Sequence, residues 1–214
     1  MKNRAGSTFF AVVLFATALC SRAEMKVVAY VPNWVDLKDF SRTIDYPRLT
    51  HINIAFENPI NDEGDLSFNK KDQFLIDAAK AHRVKVLVSI GGGSASGDKK
   101  LLARYFKLIA DEQRGAFVAK LAEYVERHGF DGLDVDIEGP SINKDYGAFV
   151  ADLAKALQSK QKLLTAALSK GYGGSKVPPA ALKQFDFVNI MAYDGAGYWD
   201  PQSPGQHSSM EYAK

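Results

Sequence analysis

Residues 131 to 138 read Asp131-Gly132-Leu133-Asp134-Val135-Asp136-Ile137-Glu138, with a carboxylate at every second place from 134 onward. Strand side chains alternate between faces. Asp134, Asp136 and Glu138 therefore share one face, and Leu133, Val135 and Ile137 share the other, which suits packing against helices. A solvated edge strand would also alternate, but it would rarely align three carboxylates with no interleaved Lys or Thr. On an interior face the three repel one another and lose solvation, and both effects raise pKa. Two chemistries fit such a row: a hard cation such as Mg²⁺ or Mn²⁺ held by clustered oxygens, or acid–base catalysis by carboxyls of separated pKa. Gly139-Pro140 ends the strand, so Glu138 sits at its carboxyl end, where barrel enzymes place their chemistry. Asp134 lies about 13 Å deeper at ~3.3 Å per residue, too far to share one ion with Glu138. Asp136 lies between them and can share a proton with either. That spacing favours a relay of hydrogen-bonded carboxyls over a metal cage, so neither a metal nor a cofactor is expected.

The elements that must carry this row are legible from composition and period. Strands are predicted at 26–31, 50–56, 84–90, 130–137, 163–168 and 187–192. Helices are predicted at 71–82, 101–109, 116–127 and 146–157, with a short one at 177–184 opened by Pro178 and Pro179. Strands alternating with helices imply a parallel sheet with helical crossovers. An open doubly wound sheet fits six strands by count. A (β/α)8 barrel would lack two units, since it takes about 250 residues. The stretch 195–214 is rich in Gly, Pro, Ser and Tyr and closes no strand.

The 214 residues, 46% of them hydrophobic, suffice for one core. Basic residues number 27 and acidic residues 25, which argues against a dedicated nucleic-acid binder. Lys2 and Arg4 precede an apolar run from Phe9 to Leu19, and Ser21-Arg22-Ala23 sets small residues at −3 and −1 of a cut before Glu24. This is the layout of a secretory signal peptide at 1–23, too short to span a bilayer. Lipid attachment at Cys20 is the rival, disfavoured by the bulky Leu19. Removing Lys2, Arg4 and Arg22 takes the basic count from 27 to 24 against 25 acidic residues, and the only cysteine leaves with them. A secreted or periplasmic, thiol-free chain is expected. The glycine-rich run Ser89–Gly97 follows a strand, yet Asp98 stands where a phosphate-binding loop needs lysine. His51, His82, His128 and His207 are scattered with no pair at i, i+4, and read as ordinary core or surface residues.

The row Asp131-Gly-Leu-Asp134-Val-Asp136-Ile-Glu138 resembles the DGxDxDxE strand of the chitinases of glycoside hydrolase family 18. Further segments agree in order: Val28-Ala29-Tyr30, Leu49–Phe56, Ser89-Ile90-Gly91-Gly92, Met191-Ala192-Tyr193-Asp194, and Gly197-Tyr198-Trp199 followed by Gly205-Gln206-His207-Ser208. The resemblance implies a (β/α)8 TIM barrel, truncated here after about six βα units. It also implies cleavage of β-1,4 bonds next to N-acetylglucosamine in chitin, chitooligosaccharides or the N-glycan core, by substrate-assisted retaining catalysis. Glu138 would protonate the glycosidic oxygen while the substrate's acetamido oxygen attacks the anomeric carbon. Asp136 would accept from the acetamido N–H, Asp134 would hold or share its proton, and Tyr193 would donate to the acetamido carbonyl. Tyr30 and Ser89 would settle the charge of Asp134, and Met191 and Asp194 would line the sugar site. Gly92, Phe56 and Trp199 join the expected substrate contacts. Parity, however, puts Phe56 on the face of Ile52 and Ile54, and Trp34, Tyr198 and Trp199 could equally be buried anchors. The expected partner is a glycan, with no nucleic acid, no membrane span and a monomeric chain. A non-catalytic, lectin-like relative is the alternative, but such members usually lose the glutamate retained here as Glu138.

The sequence departs from that pattern at Gly139 and Gly93, where many chitin-degrading members carry aromatics. Fewer platforms imply a shallower cleft and a preference for soluble oligosaccharides or N-glycan cores. The seventh and eighth strands are absent, with the eighth-strand Trp, so the 214-residue chain is expected to be inactive by itself and its sheet edges exposed.

Overall fold

The computed structural model describes residues 25–197 and 201–210. The leader at 1–23 with Cys20, and the loop residues Tyr198 and Trp199, lie outside the described residues. Six strands form one parallel sheet in chain order: β1 (Val28–Pro32), β2 (His51–Ala55), β3 (Lys85–Gly91), β4 (Gly132–Asp136), β5 (Leu163–Leu168) and β6 (Phe187–Ile190). The helices are α1 (Leu37–Phe40), α2 (Asp72–Ala81), α3 (Gly93–Gly97), α4 (Lys99–Ile109), α5 (Asp111–Arg127), α6 (Tyr146–Gln158) and α7 (Pro179–Leu182). The order 1-2-3-4-5-6, with no reversal, is that of a barrel wall; a doubly wound sheet reverses at a switch point. The sheet curls, because side chains meet across its concave face. Tyr30 on β1 reaches Asp134 on β4 at 2.9 Å, and Asn189 on β6 donates to the Tyr30 hydroxyl at 3.0 Å. Among the described residues this is a six-strand wall of a (β/α)8 barrel.

Alternation sorts the strand residues into two sets. Val31, Ile52, Ile54, Val86, Val88, Ile90, Leu133, Val135, Ile137, Leu164, Ala166 and Leu168 pack with the helices in one apolar cluster. Ala55, Leu87 and Ala167 are also buried, yet they stand apart from that cluster because they face the concave side. The carboxylate row faces inward with them, as its parity requires.

Helix boundaries moved where capping overrode the apolar period. Asp98 accepts from the Lys100 and Leu101 backbone N–H groups (2.8 and 3.3 Å), so α4 starts two residues earlier than predicted. α5 starts at Asp111, five residues early, with Asp111 and Glu112 in a first turn that favours negative charge. The stretch predicted as a helix at 177–184 holds only α7, with Pro178 as its N-cap. The glycine-rich run contains the short α3.

The end of β3 is a close approach of backbones. Gly91 has φ 103°, and a Cβ there would lie 2.3 Å from the Asp136 carbonyl oxygen. Asn58 holds the same residue from the other side, accepting from its N–H at 2.8 Å and donating to its carbonyl at 3.1 Å. Gly115 is the opposite case: it lies inside α5 and a Cβ there meets nothing within 4 Å. Gly91→Ala is expected to cost about 2 kcal/mol or more, because it adds a backbone clash to a positive φ. Gly115→Ala should stabilise by about 0.5–1 kcal/mol. Thermal melts of both variants check this, with shifts of about 2–4 °C per kcal/mol in opposite directions.

Candidate active site

Asp134 is fully buried, and its carboxylate is held on both oxygens. Oδ1 accepts from Thr165 Oγ1 at 2.5 Å, and Oδ2 accepts from Ser89 Oγ at 2.8 Å and Tyr30 Oη at 2.9 Å. The strand registers set this up: Ser89 lies opposite Asp134, and Asp134 opposite Thr165. Asn53 on β2 adjoins Asp134 and Tyr30, although its amide makes no hydrogen bond of good geometry among the described residues. Tyr30, Asn53, Ser89, Asp134, Thr165 and Asn189 thus form a polar layer with one residue from each strand. Burial drives the Asp134 carboxyl above its ordinary range, and the hydroxyl donors oppose it. Burial first and Asp134 second keep the Tyr30 phenol protonated, so it remains a donor.

Asp136 lies one step toward the mouth and is 6% exposed. Its Oδ1 is buried without a hydrogen-bond partner among the described residues. Burial, and after it the charges of Asp134 and Glu138, push this carboxyl up to about 8. The expected relay of hydrogen-bonded carboxyls is not formed here: Asp134 spends both oxygens on hydroxyls, and nothing bonds to Asp136 Oδ1. What couples the row is charge. Charge on Asp134 and Glu138 thus disfavours ionisation of Asp136, beyond the effect of burial.

Glu138 is half-buried at the strand end, and burial first, then Asp194, lift its carboxyl above the usual glutamate range. It opens into a cleft of about 700 Å³ that Asp136, Tyr172, Met191, Tyr193 and Asp194 also line. A second cavity of about 460 Å³ adjoins it, walled by Tyr30, Trp34, Phe56, Met191 and Tyr193, with Asp136 reaching both. Tyr193 is 46% exposed, and its phenol is pushed up by burial, then by Asp136, Glu138 and Asp194. Trp34, 73% exposed, is no buried anchor.

Most predicted site residues therefore converge, with three changes. Phe56 lines the second cavity and does not share the outward face of Ile52 and Ile54; β2 pairing ends at Ala55, so strand parity no longer governs it. Gly92, expected among the substrate contacts, is buried. Its N–H donates to the Asp136 carbonyl at 2.7 Å, and a Cβ there would strike the Phe56 ring at 2.6 Å. Gly92 therefore seats Phe56 and β4, while Trp199 lies outside the described residues. His207, read as an ordinary residue, sits at the rim with Nε2 2.8 Å from Asp194 Oδ1 and its ring parallel to Tyr193. Thr165 and Tyr172 were not anticipated. Thr165 was findable, since it lies opposite Asp134 in any parallel register; Tyr172 was not, because a turn positions it.

Among the described residues no group of three or more His, Cys, Asp or Glu side chains is placed to hold a metal ion, and no helix is long and apolar enough to cross a membrane.

The chain matches the model of the family described as Glycosyl hydrolases family 18 over residues 26–213. It is 29% identical to mouse Chitotriosidase-1 over 198 residues, 79% of this chain and 41% of that protein. Among solved structures it is similar to the chitinase ChiB from the chitin utilization locus of Flavobacterium johnsoniae, at 36% identity and TM-score 0.79, covering 88% of this chain and 60% of that one. It is also similar to catalytic domain 2 of the Ostrinia furnacalis Group II chitinase, a variant in complex with (NAG)5, at 29% identity and TM-score 0.69, covering 82% and 52%. The chain thus spans about half the length of the relatives it matches.

The buried acids have a consequence for stability. Asp136 stands near 8 against an ordinary 3.8, so the folded state binds a proton that the unfolded state releases. Stability then falls as pH rises from about 4 to about 8. Asp72, raised to about 8 by burial and by Glu57, acts in the same sense. His128, lowered by burial, acts oppositely below its ordinary range. Asp136→Asn removes the titration of Asp136 together with its repulsion of the neighbouring acids. The stability of this variant minus that of the parent, from urea melts between pH 5 and 9, should rise with pH by at most about 1.4 kcal/mol per unit and level off above 8. A flat difference would show that Asp136 ionises normally.

Proposed function

Because this chain belongs to family 18 of the glycosyl hydrolases, we propose that it is part of a secreted glycosidase that hydrolyses β-1,4 bonds next to N-acetylglucosamine, with Glu138 as the general acid. The observation that carries this reading is the graded row on β4. The deepest carboxyl is held by three hydroxyls, the middle one is buried with an open oxygen, and the outermost faces a cleft large enough for sugar rings. An acid that must be protonated near neutral pH needs a raised pKa, and the direction at Glu138 suits that role.

The roles follow the depth of each group. Glu138 gives its proton to the glycosidic oxygen as the bond to the anomeric carbon breaks. The acetamido oxygen of the same sugar closes on that carbon, forming an oxazolinium ion, and water later opens it with retention. Asp136 Oδ1 takes the acetamido N–H, which repays a buried acceptor that otherwise costs about 1–3 kcal/mol. A proton passed to Asp134 lets Asp136 carry negative charge while the cationic ring exists. Tyr193, protonated and half exposed beside Asp136, donates to the acetamido carbonyl oxygen. Relatives named as chitinases, one of them bound to (NAG)5, support an N-acetylglucosamine polymer or oligomer as substrate. The leader pattern at 1–23 supports secretion.

The reading extends to the open side of the sheet. Tyr30, on the concave face of β1, is 38% exposed, so that face is unwalled where the site meets solvent. Hydrolysis in water-excluded surroundings requires that side to be covered.

Two assays test these statements. Glu138→Gln in the full reading frame should lose at least about a hundredfold in kcat on chitotetraose and keep its affinity within severalfold. A variant that retains near-parental turnover would remove Glu138 from the role. The 214-residue chain, assayed alone, should show little or no turnover; robust hydrolysis would overturn the need for a covered seam.

A further inference from the structure

Gly93 and Gly139 are the two places where the sequence departs from the pattern it resembles, and the structure treats the two positions differently. A Cβ at Gly93 would meet nothing within 4 Å, so that place is open. A Cβ at Gly139 would lie 2.2 Å from Cζ and 2.3 Å from Cε1 of Tyr172. The space that a side chain at 139 would enter is therefore already filled by an aromatic ring from another loop.

That loop, which follows β5, is built onto Gly139. The Gly139 N–H donates to the Tyr172 carbonyl at 3.1 Å, and the Tyr172 N–H donates to Ser169 Oγ at 3.0 Å. Gly173, at φ 88°, lies so close that a Cβ on it would stand 2.6 Å from the Gly139 nitrogen. Gly174 donates its N–H to the Ser169 carbonyl at 3.0 Å, and a Cβ there would overlap that carbonyl. Gly139 itself adopts φ 57°. Glycines at 139, 173 and 174 thus permit one docked turn, and its product is a ring held directly beside the residue that follows Glu138. The ring is 47% exposed and lines the same cleft as Glu138.

We propose that Tyr172 is a stacking platform for a sugar ring bound next to the one whose bond is cut, supplying from the β5 loop the aromatic surface that Gly139 and Gly93 do not. The proposal rests on the glycosidase reading and adds a specificity-determining contact to it. A preorganised ring loses little entropy on binding and offers an apolar face to the C–H side of a pyranose. Gly139 is then a requirement of the platform, and the cleft is less shallow than its two glycines suggest.

The test uses the full reading frame with a short substrate, an aryl chitobioside, and a long one, chitopentaose. Tyr172→Ala should lower kcat/KM on the pentamer about tenfold more than on the aryl chitobioside, mainly through KM. Tyr172→Phe should restore the parental ratio, because stacking needs the ring and not the hydroxyl. Equal losses on both substrates, or a Phe variant as poor as Ala, would overturn the platform and leave Tyr172 a packing residue. A second arm measures chitopentaose binding by calorimetry in the Glu138→Gln background, with and without Tyr172→Ala. About tenfold weaker binding supports the platform even where the parent fails to hydrolyse, an outcome that sinks only the glycosidase reading; unchanged or absent binding sinks the platform.

Discussion

A carboxylate buried in the middle of a sheet is the constraint from which the rest of this molecule follows. An unpaired charge in such a place is too costly to keep, and among the described residues no cation pairs with Asp134. It has hydroxyls, supplied by strands on both sides and by β1 across the concave face. Those donors can converge only if the sheet is curled and each strand pairs in one register. A slip by one residue would turn Ser89 or Thr165 outward and strand the charge. Fold and acidity are thus one arrangement, and the apolar outer faces of the same strands supply the burial that makes the inner layer affordable.

Depth along β4 then separates the carboxyls by function. Hydrogen bonds hold Asp134, burial and neighbouring charge act on Asp136, and partial burial with Asp194 acts on Glu138. One alternating sequence gives three environments because each step of two residues moves about 6.6 Å toward the mouth. A single strand can therefore hold a hydrogen-bonded anchor, a buried acceptor and a proton donor in line. The energetic consequence is that the most useful groups are also the least stabilising ones, as expected where function is built from desolvated acids.

The strands and the carboxylate row were legible because period two is a local signal that tertiary packing reinforces: each Asp on β4 is flanked by apolar residues that join the outer cluster. Legibility stopped where periodicity did. Phe56 follows the last paired residue of β2, so alternation assigned it the wrong face. Thr165 sits in Leu-Leu-Thr-Ala-Ala-Leu, where threonine reads as a strand former, and only its register beside Asp134 reveals a donor. His207 is distant in sequence from Asp194 and meets it through a loop. Helix starts were misjudged for a related reason: Asp98 terminates the glycine run by capping, an interaction that hydrophobic spacing does not record.

Glycine is where the two kinds of information part most clearly. In the sequence, Gly91, Gly92 and Gly139 read as missing side chains or as a failed phosphate loop. In the structure each marks a contact that a side chain would forbid: Gly91 against the Asp136 carbonyl, Gly92 beneath Phe56, Gly139 beneath Tyr172. All three bring another element against the strand ends that carry the acids. A loss of aromatic surface at one position can therefore be the condition for gaining it from another. Counting aromatics along a motif consequently underestimates a cleft whose walls come from loops, and the measure of such a site is which rings the backbone lets approach.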